Sequence, residues 1–184
     1  MFISKRKYVE LKKILNSVIE ESRTNQLELE SKIIHNDAIS RLNREIENTN
    51  QCIMGIEKNK IGDILAVVTP KEQSYEQIML YSLKDNRYKA LNNHPRLYAR
   101  QVGNDTIKID DIFSQENIRS SGNGTILLSY LKKEAIKHGY TQITGWLSSV
   151  DKTNFEKLEY FYKKNGFNVL FSKDGNNGKI YLKF

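Results

Sequence analysis

The amino-acid sequence predicts a mixed α/β (α+β) domain preceded by a long helical segment. Residues 1–50 contain no glycine and no proline and are rich in Glu, Lys, Leu and Ile, a composition typical of helix. From about residue 52 to about residue 114, short apolar stretches are separated by turn residues, which indicates a meander of strands. Helical and extended spacings alternate thereafter. We therefore divide the chain into a helical extension, residues 1–50, and an α/β domain, residues 51–184.

Composition narrows the class of protein. Of the 184 residues, 39% are hydrophobic and 28% are charged, which argues against a disordered chain. The single cysteine, Cys52, excludes an intramolecular disulfide, and the 3 histidines do not cluster in sequence, so we expect no metal site. No apolar run is long enough to span a membrane and no secretory leader is recognisable, so we expect a cytoplasmic protein.

The net charge of +7 leaves two interpretations open. It suits an anionic ligand or a nucleic acid, and it is also common in proteins that bind neither. The lysine pairs at 132–133 and 163–164 lack the interleaved aromatic residues of a nucleic-acid interface. We therefore expect no nucleic-acid partner.

The helical extension has a coiled-coil-like spacing with a polar middle. In one heptad register the core positions hold Leu15 near the start, Ser22 and Asn25 in the middle, and Ile39 near the end. This pattern predicts either one long helix or two helices broken near Ser22–Gln26. We expect the segment to act either as a homodimerisation arm or as a helix that caps the α/β domain.

The α/β domain is predicted to contain seven strands and two helices in a fixed order. Gly139 and Gly166 follow the two helices, where a left-handed residue ends a helix. The predicted strands are Ile61–Thr69, Gln77–Leu83, Arg96–Val102, Thr106–Ser114, Thr141–Leu147 and Phe167–Phe171, with Lys179–Phe184 pairing back, and the helices are Gly124–His138 and Asp151–Lys164.

The segment that joins the fourth strand to the first helix has the features of a phosphate-binding loop. It reads Arg119-Ser120-Ser121-Gly122-Asn123-Gly124-Thr125. A helix N-terminus offers unpaired N–H groups and a partial positive charge, and glycines allow a diphosphate to approach the backbone closely. The loop lacks the Lys-Ser/Thr ending of a P-loop and the spacing of a dinucleotide fingerprint. Taken alone, its glycines could equally serve only to make the turn.

The order of motifs around this loop resembles the GNAT superfamily of N-acetyltransferases. Their acetyl-CoA motif reads Gln/Arg-x-x-Gly-x-Gly/Ala, and a later motif reads Phe-Tyr-x-x-x-Gly-Phe, which matches Phe161 to Phe167 closely. Both motifs and the order of elements agree over about residues 105–184. Upstream only the strand meander matches, because the usual pair of helices after the first strand is not visible at its place.

The resemblance implies acetyl-CoA as the cosubstrate and assigns residues to it. The backbone N–H groups of the loop would hold the pyrophosphate, with Arg119 at the first position of the motif. The strand ending at Ser114 would pair with the pantetheine arm, at a point where family members splay it from the next strand. The implied acetyl-CoA contacts are Ile112, Phe113, Ser114, Arg119, Ser120, Ser121, Gly122, Asn123, Gly124, Thr125 and Asn154.

The resemblance also implies the reaction, which is direct attack of a primary amine on the thioester within a ternary complex. Tyr162 matches the tyrosine that commonly acts as general acid toward the leaving thiolate. Asp110 is the candidate general base because strand parity places it on the face of Ile112 and Ser114, whereas Asp111 points away. Water could relay the proton instead. The alternative function is a non-catalytic GNAT-like binding protein whose N-terminal helix engages a protein partner or a nucleic acid.

Overall fold

A computed structural model describes residues 5–83, 94–114 and 120–184. The chain divides into two compact units, Met1–Leu42 and Asn43–Phe184. Helix α1, Lys5–Ile46, runs without interruption for 42 residues, so the first of the two interpretations of the helical extension, a single helix, is the one observed.

The second unit is built on a mixed sheet of eight strands, which confirms the predicted fold class. The strand order is β1-β2-β3-β4-β5-β6-β8-β7, and among the described residues the β5–β6 pair is the only parallel one. The strands are β1 Gln51–Lys58, β2 Ile64–Pro70, β3 Gln77–Ser82, β4 Arg96–Val102, β5 Thr106–Phe113, β6 Gln142–Leu147, β7 Asn168–Phe171 and β8 Gly178–Lys183.

Two helices complete this unit. Helix α2, Asn123–Lys137, connects the parallel strands β5 and β6, and helix α3, Phe155–Lys164, follows a 3₁₀ turn at Ser149–Asn154. Leu127, Leu128 and Leu131 of α2 are fully buried in one apolar cluster with residues of both helices and of the sheet. Burial of this continuous apolar face is what holds the helices to the strands.

Helix α2 ends as the sequence predicts. Gly139 has a left-handed backbone with φ of +79°, and its N–H donates to the carbonyl of Ile136. The N–H of Tyr140 donates to the carbonyl of Ala135, which completes the pair of reversed hydrogen bonds of a Schellman cap. Strand β6 then starts within a few residues, at Gln142.

The C-terminal end of α2 closes over a buried polar network. The Glu134 side chain is 3% exposed and accepts hydrogen bonds from the Ser74 hydroxyl and, at 3.3 Å, from the Lys137 ammonium. The hydroxyl oxygens of Tyr75 and Tyr140 lie 3.1 Å apart, and the Tyr140 proton is donated to Gln101 Oε1 at 3.0 Å. Every one of these buried groups therefore has a partner.

Two parts of the fold differ from the sequence-based expectation. Strand β1 was not predicted as a separate element; a bulge between Ile53 and Gly55 interrupts its alternation. The segment predicted as one helix, Asp151–Lys164, begins with the 3₁₀ turn before α3. The pair of helices that is usual after the first strand of the GNAT superfamily is absent from the described residues between β1 and β5, which exclude residues 84–93. Helix α1 comes before the first strand instead.

Candidate active site

The loop that opens α2 has the backbone conformation of a tight, glycine-dependent turn. Ser120 and Gly122 both have positive φ, +65° and +93°. Gly122 is the N-cap residue of α2, and its carbonyl accepts hydrogen bonds from the N–H groups of Thr125 and Ile126 at 3.1 and 3.3 Å. The first turn of the helix therefore directs its backbone N–H groups toward this loop, as anion binding requires.

Gly124 has a packing role that the sequence did not indicate. A Cβ atom at this position would lie 2.9 Å from Phe161 Cζ, closer than real contacts allow. The absence of a side chain at Gly124 thus lets the start of α2 pack closely against α3. The contact on α3 is Phe161, the residue next to Tyr162. The expected reason for this glycine was close approach of a diphosphate, and helix packing is sufficient to explain it.

The turn between β1 and β2 forms a wall of the loop, which sequence reasoning missed. The buried Asn59 donates through Nδ2 to Asn123 Oδ1 at 3.0 Å, and its Oδ1 accepts from the N–H groups of Ile61 and Asp63. The Lys60 N–H donates to the Ser121 carbonyl at 2.8 Å. These bonds fix the turn against the loop although Asn59 and Asn123 are 64 residues apart in sequence.

Lys60 adds a positive charge at this place. A Cβ atom built on Gly122 would lie 3.0 Å from Lys60 Cγ, so the lysine stem passes directly over the glycine. The Lys60 side chain is exposed, and no carboxylate in the described part of the chain forms an ion pair with it. The ammonium is three bonds beyond Cγ and is therefore available to an anion at the loop.

The parallel strands β5 and β6 separate before β5 ends. Their ladder pairs Thr106 with Gln142 and ends at Ile109 with Gly145. Beyond that point β5 pairs only with β4, and β6 pairs only with β8. The backbone of residues 110–113 consequently presents an edge that β6 does not cover, as the resemblance implies for the pantetheine arm.

A β-bulge in β5 overturns the predicted orientation of Asp110. Ile109 pairs with Ala99 and Asp111 pairs with Tyr98, so Asp110 is an extra residue in the strand. Ile109 and Ile112 both pack on the core although they are three positions apart. The expectation that Asp110 shares a face with Ile112 and Ser114 is therefore wrong, because a bulge resets the alternation of side chains.

The two aspartates of the bulge have different surroundings. Asp110 Oδ1 lies 3.5 Å from Arg100 Nε and 3.9 Å from Lys108 Nζ, in a half-exposed ion pair. Asp111 is exposed and is close enough to raise the pKa of Tyr162 by its negative charge. Of the two carboxylates, Asp111 is thus the one whose charge raises the pKa of Tyr162.

Tyr162 is buried at the C-terminal end of α3. Its side chain is 7% exposed, and its ring makes edge-to-face contacts with Phe161 and Phe167 at centroid distances of 5.1 and 5.7 Å. Burial raises the pKa of its phenol, and the charges of Asp111 and Asp151 raise it further. No described residue hydrogen-bonds its hydroxyl, which stays protonated and free to donate.

The remaining predicted contacts occupy separate places. Ile112, Phe113 and Ser114 are half-buried at the end of β5, and the Phe113 ring lies 4.3 Å from the Arg96 guanidinium carbon. Asn154 is exposed at the start of α3. Arg119 lies outside the described residues.

The strand order from β2 to β8, the single parallel pair and the glycine loop that opens α2 define a GNAT-like fold with a long N-terminal helix. No family model matches the chain. The uncharacterized protein YocC of Bacillus subtilis strain 168 is 27% identical over 161 residues, which cover 85% of this chain and 93% of YocC.

Solved structures similar to this chain include acetyltransferases. The GNAT domain of S. lividans PAT has a TM-score of 0.48 at 10% identity, covering 71% of this chain and 96% of its own. A Bacillus subtilis acetyltransferase in complex with CoA gives 0.44 at 16%, covering 59% and 76%. Arabidopsis thaliana Naa50 with a bisubstrate analogue gives 0.44 at 16%, covering 60% and 74%.

The described residues contain neither a membrane-spanning helix nor a metal-binding cluster. No helix there is long and apolar enough to cross a membrane. No group of three or more His, Cys, Asp or Glu side chains there is arranged to hold a metal ion.

Proposed function

We propose that this protein is an N-acetyltransferase that transfers the acetyl group of acetyl-CoA directly to a primary amine. The observation that carries the proposal is the end of the β5–β6 ladder at Ile109 and Gly145, in the strand that leads into the glycine loop of α2. An extended ligand can pair with the uncovered strand edge while its phosphates meet the helix N-terminus.

In this proposal the backbone of the loop binds the pyrophosphate of acetyl-CoA. The N–H groups of residues 120–124 donate to it, and the Arg119 guanidinium adds a charged donor. The predicted contact through Thr125 is not part of this set, because its N–H already donates to the Gly122 carbonyl. Lys60, whose stem passes over Gly122, supplies a second cation from the β1–β2 turn. The uncovered edge of Ile112–Ser114 pairs with the pantetheine amides, and Asn154 at the start of α3 contacts the same cosubstrate.

The reaction needs no covalent enzyme intermediate. The neutral amine nitrogen attacks the thioester carbon, the C–N bond forms, the C–S bond breaks, and CoA leaves as a thiolate. Holding both reactants together supplies much of the rate, and backbone N–H groups stabilise the transient oxyanion. The amine loses one proton, and the thiolate gains one.

Tyr162 is the group that we place beside the leaving sulfur. Its pKa is raised, chiefly by burial, so the phenol carries its proton throughout the physiological range. A raised pKa also makes the phenol a weaker acid, and an efficient general acid has a pKa near the working pH. Tyr162 therefore acts mainly by donating a hydrogen bond to the developing thiolate.

The general base is a carboxylate of the β5 bulge. Asp110 was the expectation, but its ion pair with Arg100 and Lys108 occupies it. Asp111 is exposed and its charge acts on Tyr162, so we assign the base to Asp111, directly or through water. The negative charge of Asp111 also attracts the acceptor amine while that amine is still protonated and cationic.

The alternative function is a GNAT-like protein that binds a partner without catalysis. The observation that favours it is the row of exposed apolar side chains on α1, such as Leu15 and Leu29, each 59% exposed. Such a row has no role in acetyl transfer.

One experiment separates the two functions. Titration calorimetry measures acetyl-CoA binding to the full chain, and a thiol reagent then follows CoA release with a panel of amines: a polyamine, an aminoglycoside, a lysine peptide and a free peptide N-terminus. The enzyme proposal expects binding and amine-dependent release. Binding without release from any amine favours the alternative, and absence of binding contradicts both the acetyltransferase and the CoA site.

A further inference from the structure

The place where β5 and β6 stop pairing, after Ile109 and Gly145, has a filled side and an outer side. We call this place the opening. Helices α2 and α3 pack in one apolar cluster on one face of the sheet, and the buried Tyr162 belongs to that cluster. An amine from solvent therefore reaches a thioester in the opening from the opposite face, which we call the outer face. The side chains on that face beside the opening select the amine.

On the β5 side of the opening, the outer face presents Tyr98 and Asp111. Tyr98 is 38% exposed and lies between the buried Leu97 and Ala99, so it points away from the core. Asp111 is the partner of Tyr98 on β5 and is exposed. The neighbouring Asp110 is already engaged in its ion pairs with two basic side chains. Asp111 is therefore the carboxylate that this side offers to a ligand.

On the β6 side, the outer face presents Trp146 and Lys179. Trp146 lies between the buried Gly145 and Leu147 and is itself 58% exposed, and it pairs with Lys179 of β8. Lys179 is exposed and takes part in none of the ion pairs found among the described residues. This side thus offers a flat aromatic surface beside a solvated positive charge.

Opposite charges flank the opening on its outer face. Asp111 comes two residues after the last β5–β6 pair and Trp146 comes one residue after it, so the two lie at similar heights along their strands. Neighbouring strands are about 4.8 Å apart, so Asp111 on β5 and Lys179 on β8 are separated by about 10 Å or more. A carboxylate binds an ammonium and a lysine binds an anionic oxygen. The arrangement matches a ligand whose amine and anionic group are a few bonds apart.

We propose that the acceptor carries a carboxylate as well as its amine, with the amine at Asp111, the carbon chain against Trp146 and the carboxylate at Lys179. This inference rests on the proposed function and names the class of amine that it uses. The bonds formed and broken are those of the proposed transfer. A polyamine is disfavoured, because Lys179 repels its second positive charge.

The first test measures binding without turnover. Trp146 is the only tryptophan of the chain, so its emission reports a ligand that lies against it. The full chain with CoA is titrated with glycine, β-alanine and 4-aminobutyrate, and with their amides, which lack the negative charge. We expect at least one acid to change the emission with a Kd about three- to fivefold below that of its amide. If no acid binds more tightly than its amide, the proposal is overturned.

The second test uses two matched variants of β8. Lys179→Ala removes the proposed carboxylate contact, and Lys183→Ala removes an exposed lysine on the same face, beside Gln142 at the start of the β5–β6 ladder. The ratio of Kd between acid and amide is compared across the proteins, and so is the ratio of kcat/KM. The unequal basicities of the two amines cancel in that comparison. We expect the preference for the acid to vanish in Lys179→Ala and to change less than about twofold in Lys183→Ala.

The two tests keep this inference separate from the proposed function. An unchanged preference in Lys179→Ala refutes the carboxylate contact, even if CoA release with amines is normal. Tighter binding of the acid that depends on Lys179 supports the contact, even if no amine releases CoA, and the missing release then counts against the acetyltransferase alone.

Discussion

The two ends of helix α2 differ in whether strands β5 and β6 are paired beside them. At the C-terminal end, the β5–β6 ladder is continuous and the buried Glu134 and Tyr140 have hydrogen-bond partners. At the N-terminal end, the ladder has stopped at Ile109 and the helix begins on a glycine with φ of +93°. We call them the closed end and the open end. The difference teaches that paired strands and buried hydrogen bonds close one end of α2, whereas the other end exposes an unpaired edge of β5.

Replacement of Tyr162 by Phe is expected to have the largest effect, and it acts at the open end. The change removes one oxygen and retains the ring between Phe161 and Phe167, so packing should survive. Loss of a general acid costs roughly 10²- to 10⁴-fold in rate, and the raised pKa of Tyr162 favours the lower part of that range.

The effect should fall on kcat and leave acetyl-CoA affinity nearly unchanged, because the donated hydrogen bond strengthens only as the thiolate leaves. Tyr160→Phe is the matched control, since Tyr160 is on the same helix and is 69% exposed. Full turnover by Tyr162→Phe would assign the proton to water and make the tyrosine structural.

Glu134→Ala tests the closed end. The substitution leaves the buried Ser74 hydroxyl without its partner, which costs about 1–3 kcal/mol of unfolding free energy. Denaturant unfolding measures that loss, and calorimetry should find acetyl-CoA affinity unchanged. The control is Glu159→Ala, which removes a half-exposed ion pair with Lys163 and should cost less than about 1 kcal/mol. A large fall in affinity for Glu134→Ala would mean that the two ends are coupled.

Lys60→Ala tests whether the β1–β2 turn belongs to the open end. Removal of one solvated cation should weaken acetyl-CoA binding by about five- to tenfold, or about 1 kcal/mol, and the loss should shrink at high salt. Lys71→Ala makes the same charge change at the other end of β2 and should leave affinity unaltered. Equal losses of affinity for the two variants would show that Lys60 acts only through the net charge of the protein and does not contact the ligand.

The smallest effect concerns alkaline pH at the closed end. Because Tyr140 donates to Gln101, Tyr75 is the donor in its bond with Tyr140, and this bond, with burial, raises the pKa of Tyr75 to about 12 from 10.0. The stabilisation is complete below pH 10 and is lost as the pH rises toward 12, since the unfolded chain ionises first. Unfolding free energies should fall across that window, and Tyr75→Phe should flatten the fall. An unchanged slope in the variant would exclude Tyr75 as the cause.

Local patterns made much of the closed end predictable. The apolar spacing from Ile126 to Ile136 and the glycine at 139 were enough to place α2 within one residue at each end. Strands β3 to β5 follow from turn residues and short apolar runs, and the predicted and observed bounds of β4 coincide. These features depend on residues that are close in sequence, which is why a single sequence is enough to predict them.

The open end depends on contacts that are distant in sequence, and it was only partly predictable. The loop was recognised from its glycines, but nothing near Lys60 connects it with Gly122. Two adjacent aspartates carry no pattern that reveals a bulge, so parity assigned Asp110 to the wrong face. Gly124 matches a phosphate-binding motif in the sequence. Its packing against Phe161 was not predictable, because Phe161 belongs to a different helix.

Amide hydrogen exchange with and without acetyl-CoA tests the central claim most directly. The claim is that the cosubstrate binds at the open end of α2, along the edge of β5. We predict slower exchange on binding for peptides that cover residues 109–114 and 120–126, and unchanged exchange for residues 134–141 at the closed end. Binding without protection of either open-end segment, or protection centred on the closed end, would contradict the account.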